Sequence, residues 1–479
     1  MLLSNCSTFN TGITMKPLIL PTTMIPLSQL MQQSERQSPV SVDPSGHQSW
    51  QQFHNDVALL CEKLNSYEQQ QWAICCEDSY FFAVAFMALA HSKQHMVLPG
   101  NHQPAALAEL SHHFDGLLHD NNIQCPESCI SLKLNTINWQ SSLDIPIVFE
   151  PLTLADIQLT LFTSGSSGKP KAIIKNLALL NYEIAQLEML WGQQLAQTTV
   201  VSTVSHQHIY GLLFRILWPL CCDRSFSRFD LIYPEQVMAQ ASDGCVLISS
   251  PALLKRLDNE DKTQDYRAIF SSGGPLPLAA AQQCQTLFSK LPFEVFGSTE
   301  TGGIAYRQQH DNSTPWQRFP VIDIALNAEQ CLKILSPFID QDLWYQTSDH
   351  CEQIDNDHFM LKGRTDRIIK IEEKRISLTD VEQRLCSLPW IEEAAVLTLE
   401  QNNRLILGAV ITLSNEGKKD VQQRGKGKFW LLLRQQLRQW IEPVGIPRSY
   451  RLVDSIPLNT QGKRLVSDLE SLFTDDAST

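Results

Sequence analysis

The chain contains no CxxC pair, no apolar run long enough to cross a bilayer, no basic excess, no internal repeat and no low-complexity tract. Each absence removes a class of protein. Its 13 cysteines stand singly or as neighbours, Cys75 beside Cys76 and Cys221 beside Cys222. That usage argues for reduced thiols in a cytoplasm and against a disulfide framework. Cys125 and Cys129 lie near His112, His113 and His119, but no second spaced pair closes a tetrahedral metal site. The longest apolar runs, residues 81–90 and 211–222, fall short of the roughly 20 residues that a membrane helix needs. They read as buried core helices. The first 35 residues show no basic segment leading into an apolar one, so a secretory leader is not expected, and Met15 is an alternative start to Met1. With 38 Lys+Arg against 51 Asp+Glu the net charge is −13, which speaks against nucleic acid as a partner.

What is present is globular. Of 479 residues 43% are hydrophobic and 19% charged, enough for several cores and two to four structural units. Trp50, Phe53, Val57, Leu60 and Leu64 recur at helical spacing behind a Ser49 cap. Short apolar runs closed by turn residues read as strands: residues 244–249 before a Pro251-led helix, and 268–270 before Ser271-Ser272-Gly273-Gly274. Strand, small-residue turn and helix in alternation is the pattern of an α/β protein with mainly parallel sheets. Charge changes character near Gly363. Residues 363–479 hold 18 basic and 16 acidic residues, which leaves −15 on the first 362. Within that tail, residues 416–451 carry nine basic and three acidic residues. The asymmetry predicts a separate C-terminal domain with one basic face, although any single charge there fits an ordinary solvated surface.

Thr163-Ser164-Gly165-Ser166-Ser167-Gly168-Lys169-Pro170-Lys171 follows the apolar run 157–162. Hydroxyls and free N–H groups of small residues can wrap phosphate oxygens, and lysines can neutralise them. It is not a Walker loop: Thr163 stands where a glycine is needed, and Pro170 stands where Ser or Thr should follow the lysine. By itself the segment fits a phosphate cradle and a surface turn equally.

Four further segments follow in order. They are Val295-Phe296-Gly297-Ser298-Thr299-Glu300-Thr301-Gly302-Gly303, Tyr345-Gln346-Thr347-Ser348-Asp349, Gly363-Arg364-Thr365-Asp366-Arg367-Ile368-Ile369-Lys370 and Pro457-Leu458-Asn459-Thr460-Gln461-Gly462-Lys463. With the loop, in order and spacing, they resemble the signature motifs of the adenylate-forming superfamily of acyl-CoA synthetases, peptide-synthetase adenylation domains and luciferases. The resemblance covers roughly residues 45–470. It implies a large N-terminal α/β domain of mainly parallel sheets with flanking helices, and a small mobile α+β lid. Residues 1–44 would be an extension with the first elements, 45–362 the large domain, 363–366 the hinge and 367–479 the lid. It also implies two half-reactions. A carboxylate attacks the α-phosphate of Mg·ATP to give an acyl-adenylate and pyrophosphate, and a thiol then attacks the acyl carbon and expels AMP.

The resemblance carries roles onto the matching residues. Thr163, Ser164, Gly165, Ser166, Ser167, Gly168 and Lys171 would hold the β- and γ-phosphates of ATP. Thr299 would donate to the α-phosphate, and Glu300 would hold Mg2+. Gly273, Gly274, Phe296 and the adjoining Gly297 match segments that sandwich adenine and line the acyl tunnel. Asp349, which has no other short-range partner in the sequence, would accept the ribose diol. Arg364 would sit near the ribose and α-phosphate, with a plain hinge salt bridge as its competitor. Lys463 would bridge the substrate carboxylate and the α-phosphate, and Asp366 would be the pivot between half-reactions. His208, in His208-Ile209-Tyr210-Gly211, matches the segment that gates the acyl site, against a structural histidine at a strand end.

The departures narrow the reading. Phe296 stands where the family usually has Tyr, Ser348 where it has Gly, and Glu373 where a Gly helps build the pantetheine tunnel. Glu373 points away from free CoA and toward an acyl carrier protein. Residues 205–214 hold no acid, where domains for α-amino acids place an Asp, so the pocket suits an aryl or aliphatic carboxylic acid. The pattern looks like compact stand-alone AMP ligases of fatty-acid-like and aryl-polyene pathways. The expectation is a cytoplasmic, ATP- and Mg2+-dependent acid–thiol ligase. A CoA ligase using free CoA is the first alternative. A catalytically silent nucleotide-binding interaction protein is the second, and the intact Lys463, Glu300 and Asp349 speak against it.

Overall fold

The computed structural model describes residues 20–100, 102–140, 148–164, 170–257, 264–339, 343–364, 367–371, 374–401, 404–439, 441, 443–458 and 464–474. Helix Trp50–Leu64 begins where the Ser49 side chain accepts the Gln52 N–H, and it buries Phe53, Val57, Leu60 and Leu64. Helix Ser79–His91 is buried on nearly every face, as its unbroken apolar run requires. The second run forms one interrupted helix, α-helical over Ile209–Gly211, π-helical over Leu212–Leu217 and α-helical again over Trp218–Cys221. Pro219 has no N–H for the ladder, and the widened turn ends just before it. No helix among the described residues is long and apolar enough to cross a membrane.

Two sheets build the large unit. In the six-stranded sheet, Ile130–Lys133, Gly116–His119, Gln71–Cys75, His95–Leu98 and Gln158–Ser164 run parallel, and Pro170–Asn176 closes the edge antiparallel. In the 13-stranded sheet the parallel set is Ser41–Asp43, Ser225–Ser227, Thr199–Ser202, Cys245–Ser249, Ala268–Ser271 and Phe293–Ser298. Cys245–Ser249 and Ala268–Ser271 are the strands read from short apolar runs, and helices cover the set as parallel pairing demands. From Gly302 to Arg364 the chain turns back on itself and extends the same sheet in antiparallel pairs. Residues 20–44 are part of this unit. Arg36 donates to Asp223 Oδ1 at 2.9 Å and to three main-chain carbonyls, and Ser41 pairs with Phe226.

Beyond Arg367 a second α+β arrangement forms around its own core. Strands Ile391–Gln401, Arg404–Leu413 and Ser449–Leu452 make a three-stranded sheet, and helices Leu378–Cys386 and Lys426–Leu437 pack Val381, Leu385, Phe429 and Leu433 against it. Its apolar cluster shares no residue with that of the large unit.

Candidate active site

Four adjacent parallel strands of the large sheet end at one level, and a cavity of about 490 Å3 opens there. Thr203 and Val204 follow the first strand, Ser250 the second and Ser272 and Gly273 the third, while Ser298 ends the fourth and Thr299 follows it. The crevice outside the carboxyl ends of parallel strands is where α/β sheets bind ligands. The second sheet contributes Phe162 and Thr163 from the end of its strand Gln158–Ser164. Leu458, from the C-terminal unit, closes the wall.

Small residues shape the floor. Ser272 Oγ donates to Val295 O at 2.8 Å, tying the turn after one strand to the next strand. Gly273 takes φ +91°, which side chains rarely tolerate. A Cβ on Gly297 would collide with the Gly302 carbonyl. Between them the turn 299–301 is locked reciprocally: Ser298 N donates to Thr301 Oγ1 at 3.0 Å and Thr301 N to Ser298 Oγ at 3.2 Å. This is a hairpin turn, not a helix start, so a capping role for Glu300 is excluded. The Lys171 ammonium lies 3.2 Å from Glu300 Oε1, which joins two of the five motifs in space. Burial pushes the Glu300 carboxyl up, but its own backbone N–H, Lys171 and the Ser298 hydroxyl together hold it below the ordinary value.

Two charges that sequence reasoning missed support this turn. Lys175 Nζ donates to Glu300 O at 3.1 Å and to Phe338 O at 2.9 Å. Glu183 Oε1 accepts the Gly303 N–H at 2.7 Å, and Glu183 lines the cavity. Burial lowers the Lys175 pKa and raises that of Glu183, each opposed by the other's charge. A legible signal was present, since Glu183 is an acid between Tyr182 and Ile184 in the mainly apolar helix Leu177–Trp191.

The far end of the cavity is mainly apolar, with Ile209, Tyr210, Leu213, Phe214, Leu231 and Leu253. His208 lies there, at the start of a helical turn and not at a strand end. Its neighbour His206 is the structural histidine, fully buried between Ser79 Oγ and Cys76 O. An acid does reach this wall from outside residues 205–214. Asp230 lines it, paired with the fully buried Arg215 guanidinium.

The other expected residues divide. Asp349 has a partner after all: the hairpin register sets it opposite Arg364, whose Nη1 donates to Asp349 Oδ1 at 3.2 Å. That corrects the expectation of an unpartnered carboxylate and realises the salt bridge held as the alternative for Arg364. Neither residue, nor Gly274, is on the cavity wall. The Phe296 ring packs 5.5 Å from Trp316 and 6.1 Å from Phe359, and it too is absent from the wall. Ser164 ends its strand at the loop. Gly165, Ser166, Ser167, Gly168, Asp366, Glu373 and Lys463 lie outside the described residues.

Comparison with known proteins agrees with this architecture. The family model of the AMP-binding enzyme matches residues 29–337. VraA of Staphylococcus haemolyticus, which carries a long chain fatty acid–CoA ligase name, is 25% identical over 69% of this chain and 73% of its own. The D-alanine–D-alanyl carrier protein ligase of Staphylococcus aureus is 22% identical over 66% of this chain and 72% of its own. Two other CoA-ligase relatives are spanned over 61% and 56% of their length. Among solved structures, ATP-bound MatB from Rhodopseudomonas palustris superposes with a TM-score of 0.77 at 14% identity, over 94% of this chain and 99% of that one. With a match over more than half its length, this chain belongs to the AMP-binding enzyme family.

Proposed function

We propose that the chain is an AMP-forming acid–thiol ligase that activates an apolar aryl or aliphatic carboxylic acid and loads it onto the phosphopantetheine thiol of an acyl carrier protein. The observation that carries the reading is the convergence on one cavity of segments separated by up to about 300 residues, from Thr163 to Leu458. A carboxylate oxygen of the acid attacks the α-phosphorus of ATP, the bond to the β-phosphate oxygen breaks, and pyrophosphate leaves. The thiol, having lost its proton, then attacks the acyl carbon, and the acyl–oxygen bond to AMP breaks.

Each residue has a defined task in that sequence. Thr163, Lys171 and the loop between them would take the outer phosphates. Thr299 would donate to the α-phosphate from a turn held by the reciprocal hydrogen bonds of Ser298 and Thr301. Mg2+ fits the oxygen donors present: Glu300 is a half-buried carboxylate held below the ordinary value, next in the chain to the cavity-lining Thr299, and Mg2+ is commonly held by one or two carboxylates. When bound, Mg2+ would offset charge on the phosphates. Lys463 would approach both anions as the carboxylate and α-phosphate close, stabilising charge where it builds. Gly273 and Gly297 would border the base and His208 the acyl end, while Gly274, Phe296 and the Asp349–Arg364 pair, which lie off the wall, would serve the base and ribose from beyond it.

The carrier-protein assignment is supported by the basic hairpin of helices Asn415–Arg424 and Lys426–Leu437. Lys418, Lys419, Arg424, Lys426 and Lys428 are all exposed there, on a chain that is otherwise acidic. CoA-ligase names among the relatives favour free CoA as the second reading. We also place a hinge at residues 363–366 between the large unit, which ends at 362 and takes in residues 20–44, and the unit 367–479; limited proteolysis near Arg364 should reveal it, less readily with an acyl-adenylate analogue bound. ATP–pyrophosphate exchange across a panel of carboxylic acids tests the function itself. Absence of carboxylate-dependent exchange from every acid would defeat it.

A further inference from the structure

An ionic chain runs from the wall of the acyl cavity to the segment that bears Lys463. It begins at Lys255, directly after the short helix Pro251–Leu254, whose Ala252 and Leu253 line the cavity. Lys255 Nζ reaches across to the C-terminal unit and lies 3.2 and 3.3 Å from the two carboxylate oxygens of Glu393. Glu393 Oε1 also accepts from Arg464 Nη2 at 2.7 Å, and Arg464 Nη1 donates to Ala394 O at 2.9 Å. Arg464 Nη1 stands 3.7 Å from Glu382 Oε1. Glu382 in turn holds Arg367 through two bonds of 2.8 and 2.7 Å and accepts the Val396 N–H at 2.7 Å.

The two ends of this chain are informative. Arg464 is the residue after Lys463, and Arg367 is the residue after Asp366. Glu393 is shared between one cation of the large unit and one of the C-terminal unit. Burial pushes its carboxyl up, but Arg464 and Lys255 outweigh that and hold it ionised. Lys255 and Glu393 side chains are 30% and 27% exposed, shielded enough to attract yet wet enough to separate. Leu458 at the cavity wall shows which seating of the C-terminal unit this contact accompanies.

We propose that Lys255 is a positioning residue for adenylate formation. Through Glu393 and Arg464 it seats the C-terminal unit with Leu458 at the cavity wall, and parting of the Lys255–Glu393 pair is the step that frees that unit for thiol transfer. This rests on the acid–thiol ligase reading, in which Lys463 serves the first half-reaction only. The pair costs little to break, so it biases two seatings of a rigid unit without locking either. Lys255 touches no reacting atom. Its effect is on how often Lys463 is in place.

The test compares Lys255→Met, which keeps the stem and removes the charge, with Lys255→Arg, which keeps the charge. Lys255→Met should lower ATP–pyrophosphate exchange about fivefold, the shift expected from an ion pair of this exposure. Transfer from a supplied acyl-adenylate to a pantetheine thiol should be unchanged or faster. Lys255→Arg should keep wild-type exchange, and added salt should slow exchange in the wild type more than in Lys255→Met. A fluorophore pair, one on each unit, should report a wider separation in Lys255→Met before any substrate is added. Equal loss of both half-reactions, or unaltered exchange and separation in Lys255→Met, would overturn the proposal. A wild type with no carboxylate-dependent exchange would instead remove the ligase reading, while the fluorophore separation would still decide whether Lys255 seats the unit.

Discussion

Lys175 and Glu183, both buried, support the same turn from two sides: the ammonium holds the carbonyl of Glu300, and the carboxylate holds the N–H of Gly303. Neither is paid for by water, so each depends on the other's charge as well as on its own hydrogen bonds. Lys175→Met should destabilise the fold by about 3–5 kcal/mol because it strands a buried carboxylate. The double variant Lys175→Met/Glu183→Gln should lose clearly less than the sum of the single losses. Urea unfolding of the four proteins gives that coupling directly, and additive losses would mean the two charges act separately.

Lys463→Ala should lower pyrophosphate exchange by about two to three orders of magnitude, as loss of a charge partner in the transition state does. Thiol capture of a supplied acyl-adenylate should survive, since no cation is then needed between carboxylate and phosphate. Equal loss in both half-reactions would make Lys463 structural.

Asp56 predicts a pH dependence of stability. Burial pushes its carboxyl up to about 6, only partly offset by the Tyr80 hydroxyl that donates to Oδ2 at 2.6 Å. The folded state therefore favours the protonated acid more than the unfolded chain does. The stabilising contribution is fully present below the ordinary aspartate value near 3.8, and it is lost as pH rises through about 6. Its size is on the order of 2–3 kcal/mol. Asp56→Asn should raise the melting temperature at pH 7.5 and leave it nearly unchanged at pH 4. A gain of the same size at both pH values would show that Asp56 does not titrate across that range.

Loading of a carrier protein should slow steeply with added salt, because the exposed lysines of the two successive helices form one basic face, and attraction between exposed charges is screened over roughly 8 Å at physiological salt. Reversing the charge at Lys426 and Lys428 should weaken loading while pyrophosphate exchange stays at the wild-type rate. Rapid, salt-insensitive transfer to free CoA would favour the CoA-ligase reading.

Much of this was legible in the sequence where local chemistry decides the outcome. The Ser49 cap, the run at 268–270 and the small residues around Gly273 and Gly297 each announce their structure within a few neighbours. What stayed hidden depends on contacts between distant segments. The partnering of Asp349 by Arg364 follows from hairpin register, which the spacing between the two residues does not reveal. Asp230 reaches the cavity because Arg215, buried in an apolar helix, needs an anion, and a search confined to residues 205–214 could not meet it. The antiparallel half of the large sheet was also out of sight, since its strands are short and partly polar, as in Asp323–Leu326 and Tyr345–Gln353.

The built-in position of residues 20–44 sets a timetable for synthesis. Arg36 and its partner Asp223 are 187 residues apart, and strand Ser41–Asp43, paired on one edge with the nearby Gly46–Gln48, finds its other neighbour in Ser225–Ser227. At about 5–20 residues per second, the early segment waits roughly 10–40 seconds on the ribosome before its place in the sheet exists. Throughout that interval it presents an unpaired strand edge. The nascent chain is thus open to mispairing at its oldest end until Ser225–Ser227 emerges, long before the C-terminal unit does.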